Sequence, residues 1–443
     1  MTTSAAPGEG LAHRLYDLAV SEDDARLCRD IPDAQCDAQP KAFVLQVAAQ
    51  AMASTGDALA DPKVVLPWVL GAVGAPAFLT GLLVPIRESL ALLPQILVGG
   101  VLRRFPVRKW FWAGGSVVEG SCILGMALVA LSGWSGAAAG WAIVALLTVF
   151  ALARGVASIA AKDTLGKTVS KGRRGRVGGY ASTISGLAAG AVGLYLALSP
   201  DQTRPDWVLY AMLAAAGVAW FAAAATYAGI DEYPGATDGG RGVGDLVRDQ
   251  VVLLMRDREL QKFLAARALM ISTALSGPFY VTLAQREAGA DLAGLGWLMV
   301  ASGLAGSVSA SIWGKSADRS SRVTMATAAA LAGVLGCAVL LALVLAPAVT
   351  QSIVFYAGVL FVLAVAHAGV RIGRKTHVID LAGGDRKAEY VALSNTLIGV
   401  LLLVVGGLTG ALAHVGVEAA LAALSVLALA GAALALTMTH AQA

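Results

Sequence analysis

Residues 323–346 read VTMATAAALAGVLGCAVLLALVLA, with no charged side chain anywhere in the run. A helix rises about 1.5 Å per residue, so about 20 such residues cross the roughly 30 Å of hydrocarbon in a bilayer. The block is therefore a membrane span. It is preceded by Lys315, Arg319 and Arg322 and followed, past Pro347, by another apolar run. Outward in both directions the pattern recurs, giving twelve blocks at 42–70, 76–102, 110–132, 136–160, 177–199, 207–230, 260–284, 291–314, 323–346, 350–371, 389–413 and 416–438. Over the 443 residues, 57% are hydrophobic and 14% charged, against about 45–50% and 25% in soluble domains. A soluble fold is excluded. An outer-membrane barrel would alternate apolar and polar residues in segments of about 10, and no such series is present. Collagen, coiled-coil, disulfide-rich secreted and DNA-binding classes fail on the same composition, since the net charge of +4 comes from loops rather than one basic face. The fold class is an all-α integral membrane protein with twelve transmembrane helices.

Lys and Arg collect in cytoplasmic loops, which provides an independent test of the count. The connections after blocks 2, 4, 8 and 10 carry eighteen, beginning with Arg103, Arg104, Arg108 and Lys109; the opposite connections carry Arg204 and Arg286. This alternation predicts both termini inside, in a multi-pass protein of a bacterial-type cytoplasmic (inner) membrane. Residues 1–40 hold eight acidic residues against three Arg and lack the basic start and apolar core of a signal peptide. They read as a cytoplasmic segment in which Leu11, Leu15 and Leu18 suggest a short amphipathic helix or a solvated tail. Residues 231–259 are the only long polar interruption, a linker between bundles at 41–230 and 260–438. Cys122 and Cys337 read as small buried hydrophobes. Cys28 and Cys36 match no common zinc spacing.

The halves echo each other at an offset of about 210 to 220 residues, counted along the numbering. Met52-Ala-Ser54-Thr55 stands opposite Met270-Ile-Ser272-Thr273, Arg103 and Arg104 opposite Asp318 and Arg319, and Tyr180 opposite Tyr390. Together they point to a duplicated fold with an axis along the membrane normal. The segment Gly314-Lys315-Ser316-Ala317-Asp318-Arg319-Ser320-Ser321-Arg322 resembles the loop signature of the major facilitator superfamily, and the resemblance extends over residues 41–438. It implies two pseudo-symmetric six-helix bundles and a cytoplasmic latch formed by Gly314, Asp318, Arg319 and Arg322, with Arg103 and Arg104 as the first-half copy. That copy, Gly99 to Lys109, lacks the Asp. Arg154-Gly155 resembles part of the family's intramembrane Arg motif. Gly186, Gly190 and Gly193 resemble its Gly-rich fifth span, and are equally ordinary helix packing.

A charge at mid-membrane costs several kcal/mol, so each one needs a partner or a water path. At about 100° per residue, Gln46, Gln50, Ser54, Asp57 and Asp61 fall within about 80° of one another on the first span. The stripe reads as the wall of a water-filled cavity, with a satisfied polar seam as the rival. Pro62 and Pro67 predict a bend beside Asp61. Arg87 and Glu88 lie at about the depth of Asp57, so Arg87 can pair with Asp57 or Asp61, either as a structural ion pair or as part of proton coupling. Proton-coupling candidates are Asp57 first, then Glu119, with Asp61 and Glu88. Candidate solute-binding residues are Gln46, Gln50, Arg87, Arg154, Ser272, Ser276, Tyr280, Tyr356, His367 and Asn395. Arg267 is expected to snorkel to the boundary.

No phosphate-cradling loop, H-E-x-x-H site or nucleophile elbow occurs, so no enzyme, metal or cofactor is expected, and the basic loop Lys171 to Arg176 suits lipid head groups better than nucleic acid. The expected function is a monomeric secondary active transporter using alternating access. It would move a small solute with an anionic or zwitterionic group, coupled to protons. The alternative is a non-transporting receptor or assembly factor of the same fold whose N-terminal segment binds a partner.

Overall fold

The structure, a computed structural model, describes residues 12, 15, 16, 33–93, 101, 102, 104–198, 207–235, 237, 243–289, 291–382 and 387–439. Every regular element among these residues is a helix. In chain order they are α1 (Asp33–Leu59), α2 (Val65–Ala72), α3 (Ala77–Leu92), α4 (Lys109–Leu131), α5 (Gly136–Thr168), α6 (Arg174–Ala197), α7 (Trp207–Ala228), α8 (Val243–Arg256), α9 (Arg258–Leu269), α10 (Ser272–Ala288), α11 (Leu292–Arg319), α12 (Ser321–Leu345), α13 (Pro347–Thr350), α14 (Ile353–Leu381), α15 (Lys387–Leu412) and α16 (Val417–Leu436). Nine segments among the described residues are long and apolar enough to cross a bilayer: α4, α5, α6, α7, the joined α9–α10, α12, α14, α15 and α16. The other three expected blocks fall on α1 with α2, on α3, and on α11, whose apolar part is Leu292–Gly306.

Local chemistry sets several boundaries. Asp257 accepts a hydrogen bond from the Leu260 amide at 3.0 Å and starts α9 directly after the short α8. Asp291 accepts from the Gly294 amide at 2.6 Å and starts α11. Each carboxylate satisfies an amide that the first helical turn leaves orphaned. The first span is broken at Pro62, which has no amide proton to give. The Asp61 carboxylate takes the amides of Lys63 and Val64 at 2.8 and 3.0 Å, and the helix resumes as α2. The seventh span breaks likewise at Met270 and Ile271. Cys337 is exposed on α12 rather than buried.

The helices sort into two groups that pack alike. In the first, α4 lies against α5 and α7, α1 against α7, and α3 against α5. In the second, α12 lies against α14 and α16, α9 and α10 against α16, and α11 against α14. The groups meet along α6 with α11 and along α3 with α15. Glycines allow that contact. A Cβ on Gly296 would strike the Ala197 amide and the Gly193 carbonyl, one on Gly406 the Pro85 ring, and one on Gly81 would come within 2.7 Å of the Gly410 Cα. These contacts lie toward the end remote from the basic connections, where small residues let backbones approach closely.

Candidate functional site

Four helices of the first group bring their charges to one point. Asp57 on α1 accepts from Arg87 on α3 at 2.7 Å through one oxygen and from Arg154 on α5 through the other. Arg154 also faces Glu119 on α4 at 3.8 Å. Glu119 is fully buried, and neither of its oxygens receives a hydrogen bond. Both guanidiniums rest on aromatic faces, Arg87 on Phe150 at 4.7 Å and Arg154 on Trp220 at 5.3 Å, an arrangement in which the ring quadrupole attracts the cation. A cavity of about 290 Å³ opens on this cluster, with Gln50, Ser54, Ser158 and Lys162 in its wall. Gln46 is not in that wall. It is buried and bridges to Gln50 at 3.0 Å and to Thr168 at 3.5 Å, so this turn of the polar stripe is an interhelix seam.

A second chamber lies between the two groups, where α2 begins and α6, α10, α11 and α14 converge; it has a volume of about 340 Å³. Lys63, set at the break of the first span, points its ammonium to His367 Nε2 at 3.5 Å. His367 Nδ1 lies 3.1 Å from the Thr273 hydroxyl, which itself donates to the Met270 carbonyl at 2.9 Å. The hydroxyl proton is thus committed, so Nδ1–H donates to Thr273 and Nε2 accepts from Lys63. Asp61 lines this chamber too, but its Oδ1 is already occupied by the two amides that restart the helix. An adjoining recess of about 130 Å³ collects Lys63, Glu88, Arg267, His367, Arg371 and Arg374. Arg267 does not snorkel. It is buried, donating to Ser394 and, at 3.2 Å, to Asn395. The Ser394 hydroxyl and the Asn395 amide oxygen take the place of water around the guanidinium.

Several sequence candidates lie elsewhere. Ser272 donates to the Leu269 carbonyl at the end of α9 and Ser276 to the Ser272 carbonyl of its own helix, both at 2.8 Å, and Tyr280 and Tyr356 are buried within the second group, so none of the four lines either chamber. Asn395 serves Arg267 rather than a cavity. Their helical phase is right for a polar face, but α10 is turned so that this face packs against its neighbours. Lys63, Arg371 and Arg374 are the cations that the candidate set omitted. The signal for Lys63 was present: it is the lone basic residue inside the first apolar block.

At the basic end, Arg322 donates to the Met438 carbonyl at 2.7 Å and so closes the end of its own bundle, not the gap between bundles. Asp318, Arg319 and Arg104 are exposed and Gly314 is half-buried; Arg103 lies outside the described residues. The acid missing from the first-half copy of the loop comes from elsewhere. Asp163 pairs with Arg108 and with Lys167 at 2.7 Å, while Glu232 takes the amides of Arg108 and Lys109 and pairs with Lys167 at 2.8 Å. Nearby, Tyr16 is buried against Phe43, accepts from Gln39 at 2.8 Å and lies under the Arg173 guanidinium at 4.9 Å. Arg173 loses some basicity there through burial and the neighbouring Arg176.

The bundle consists of two matching groups of helices, with one charged cavity inside the first and another between the two, an arrangement of helices that solved transporters share. Solved structures agree: a variant of the nucleoside transporter NupG has a TM-score of 0.66 at 11% identity, covering 89% of this chain and 99% of that one. A D-xylose-proton symporter gives 0.64 at 13% identity over 90% and 98%, and the peptide transporter POT 0.64 at 13% over 89% and 94%. The model of the Major Facilitator Superfamily matches residues 263–442, within the second group of helices. No curated protein matches the chain.

Proposed function

We propose that this chain is a secondary active transporter that moves a small solute with an anionic or zwitterionic group across the cytoplasmic membrane by alternating access, driven by protons. Residues 41–230 and 260–438 are the two moving bundles, 231–259 their tether, and both termini face the cytoplasm. The observation that carries the reading is the sharing of Arg154 between Asp57 and Glu119. With the guanidinium on Asp57, Glu119 has no donor, and an uncompensated carboxylate there would bear the full cost of desolvation; a proton removes the charge. When Arg154 swings to Glu119, it replaces that proton, which leaves through the water-accessible cavity beside Ser54 and Lys162. Glu119 is therefore the proton carrier in this reading, and Asp57, held by two arginines, the fixed counter-charge.

The test is proteoliposomes with a pH-sensitive dye inside, challenged with a panel of organic anions. Wild type takes up protons with solute, whereas Glu119→Gln loses the proton flux and gradient-driven accumulation yet still exchanges solute down its own gradient. Unchanged proton flux in Glu119→Gln sinks the assignment. The receptor alternative asks for an N-terminal segment free to meet a partner, and the burial of Tyr16 against the first bundle speaks for an internal role.

A further inference from the structure

The chamber between the bundles is chemically divided. Its recess places the four cations Lys63, Arg267, Arg371 and Arg374 around the single carboxylate of Glu88. Arg267 is 92% buried by its 8% exposure, and its Nε has no hydrogen-bond partner although both terminal nitrogens are used. The larger compartment of about 340 Å³ shares Lys63, Thr273, His367 and Arg371 with the recess and is otherwise walled mainly by Ala, Gly, Val and Leu. Along its α6 and α11 sides stand Gly186, Gly190, Gly303 and Gly306, where an added Cβ would meet no atom within 4 Å. The closest backbone approach of the two helices lies farther out, where Gly296 meets Gly193 and Ala197, so the glycines along the compartment leave its wall smooth.

Resting on the transporter reading above, we infer that the solute is an amphiphilic organic anion, whose carboxylate or phosphate head occupies the Lys63–Arg267–Arg371–Arg374 recess and whose apolar body lies in the compartment between α6 and α11. A sugar or nucleoside needs closely spaced hydrogen-bonding groups around its body, whereas away from the groups shared with the recess this compartment offers only Asp61, whose Oδ1 already takes two amides, Ser185 and Ser302. A cationic amphiphile fits the compartment and is repelled by the recess. Taking roughly 30 Å³ for a water-sized group, the compartment accommodates on the order of ten methylenes. Each methylene transferred from water strengthens binding about fourfold.

The experiment is titration calorimetry on the protein in lipid nanodiscs, with empty nanodiscs as reference and butyl phosphate, octyl phosphate, octanoate and octyltrimethylammonium as probes. Octyl phosphate or octanoate binds at least tenfold tighter than butyl phosphate, the tighter of the two naming the head group, and octyltrimethylammonium does not compete. Arg374→Gln weakens the anions tenfold or more. Gly303→Leu, at an open position that tolerates a side chain, weakens the octyl probes while leaving butyl phosphate within twofold. Equal affinity for butyl and octyl phosphate, competition by the cation, or no effect of Arg374→Gln overturns the inference. The outcomes separate it from the transport reading: an anion that binds but never crosses proteoliposomes defeats transport alone, and translocation of some other solute with no anion bound defeats this inference alone.

Discussion

Asp57 carries two arginines and Glu119 carries none by hydrogen bond, a difference that sets opposite expectations for neutralising them. Asp57→Asn leaves two guanidiniums facing each other without a counter-charge; removing one partner of a buried pair costs about 3–5 kcal/mol. A clear fall in melting temperature in detergent is expected, with most of it restored in Asp57→Glu. Glu119→Gln removes a carboxylate without leaving a broken hydrogen bond, so its melting temperature stays at or above that of wild type. The reverse order would contradict the charge arrangement. The proximity of Arg87 to Asp57 was legible in the sequence, because depth along a helix follows from residue count. The bond from Arg154 was not, since it depends on the rotation of α5. Asp61 is a related case: its place on the polar stripe was legible and it lines a chamber, whereas its added use as a cap depends on the helix stopping at Pro62 and restarting.

At the level of elements, the decisive features are helix breaks and helix contacts. Periodicity finds a span by its length and apolarity, so α4 through α7, α12, α14, α15 and α16 were within reach of the sequence. The split first and seventh spans were less so, because an apolar block continues across a break that only the backbone records. The glycine pattern on the fifth span was visible, but its meaning differs along the helix. Gly193 is a contact with Gly296, while Gly186 and Gly190 face open space. Gly296→Leu places a large side chain where the backbones of α6 and α11 meet, and overpacking of this kind costs about 1–3 kcal/mol. A lowered melting temperature and faster alkylation of a cysteine at Ala197 are expected. Gly306→Leu, on the same helix in open space, should change neither.

For the whole molecule, the basic connections predict an orientation that labelling can read. In a cysteine-free background, Ala348→Cys at α13 should react with an impermeant maleimide in intact cells, and Ser316→Cys only after the membrane is opened. The opposite pattern would invert the topology. The duplicated packing was legible from the matched blocks and the tether between them. The charge network that Asp163 and Glu232 build under α4 was not, since these acids reach Arg108 from the end of α5 and from the segment after α7, both far away in the chain.

The two ends of the chain are moored to different bundles. Tyr16 is tied to Gln39 and Arg173 in the first, while the Met438 carbonyl and Thr439 are tied to Arg322 and Glu259 in the second. Fluorophores attached near Tyr16 and Thr439 would each report one bundle, so energy transfer between them is a ruler for the swing that the transporter reading requires, in real time and without touching the chamber.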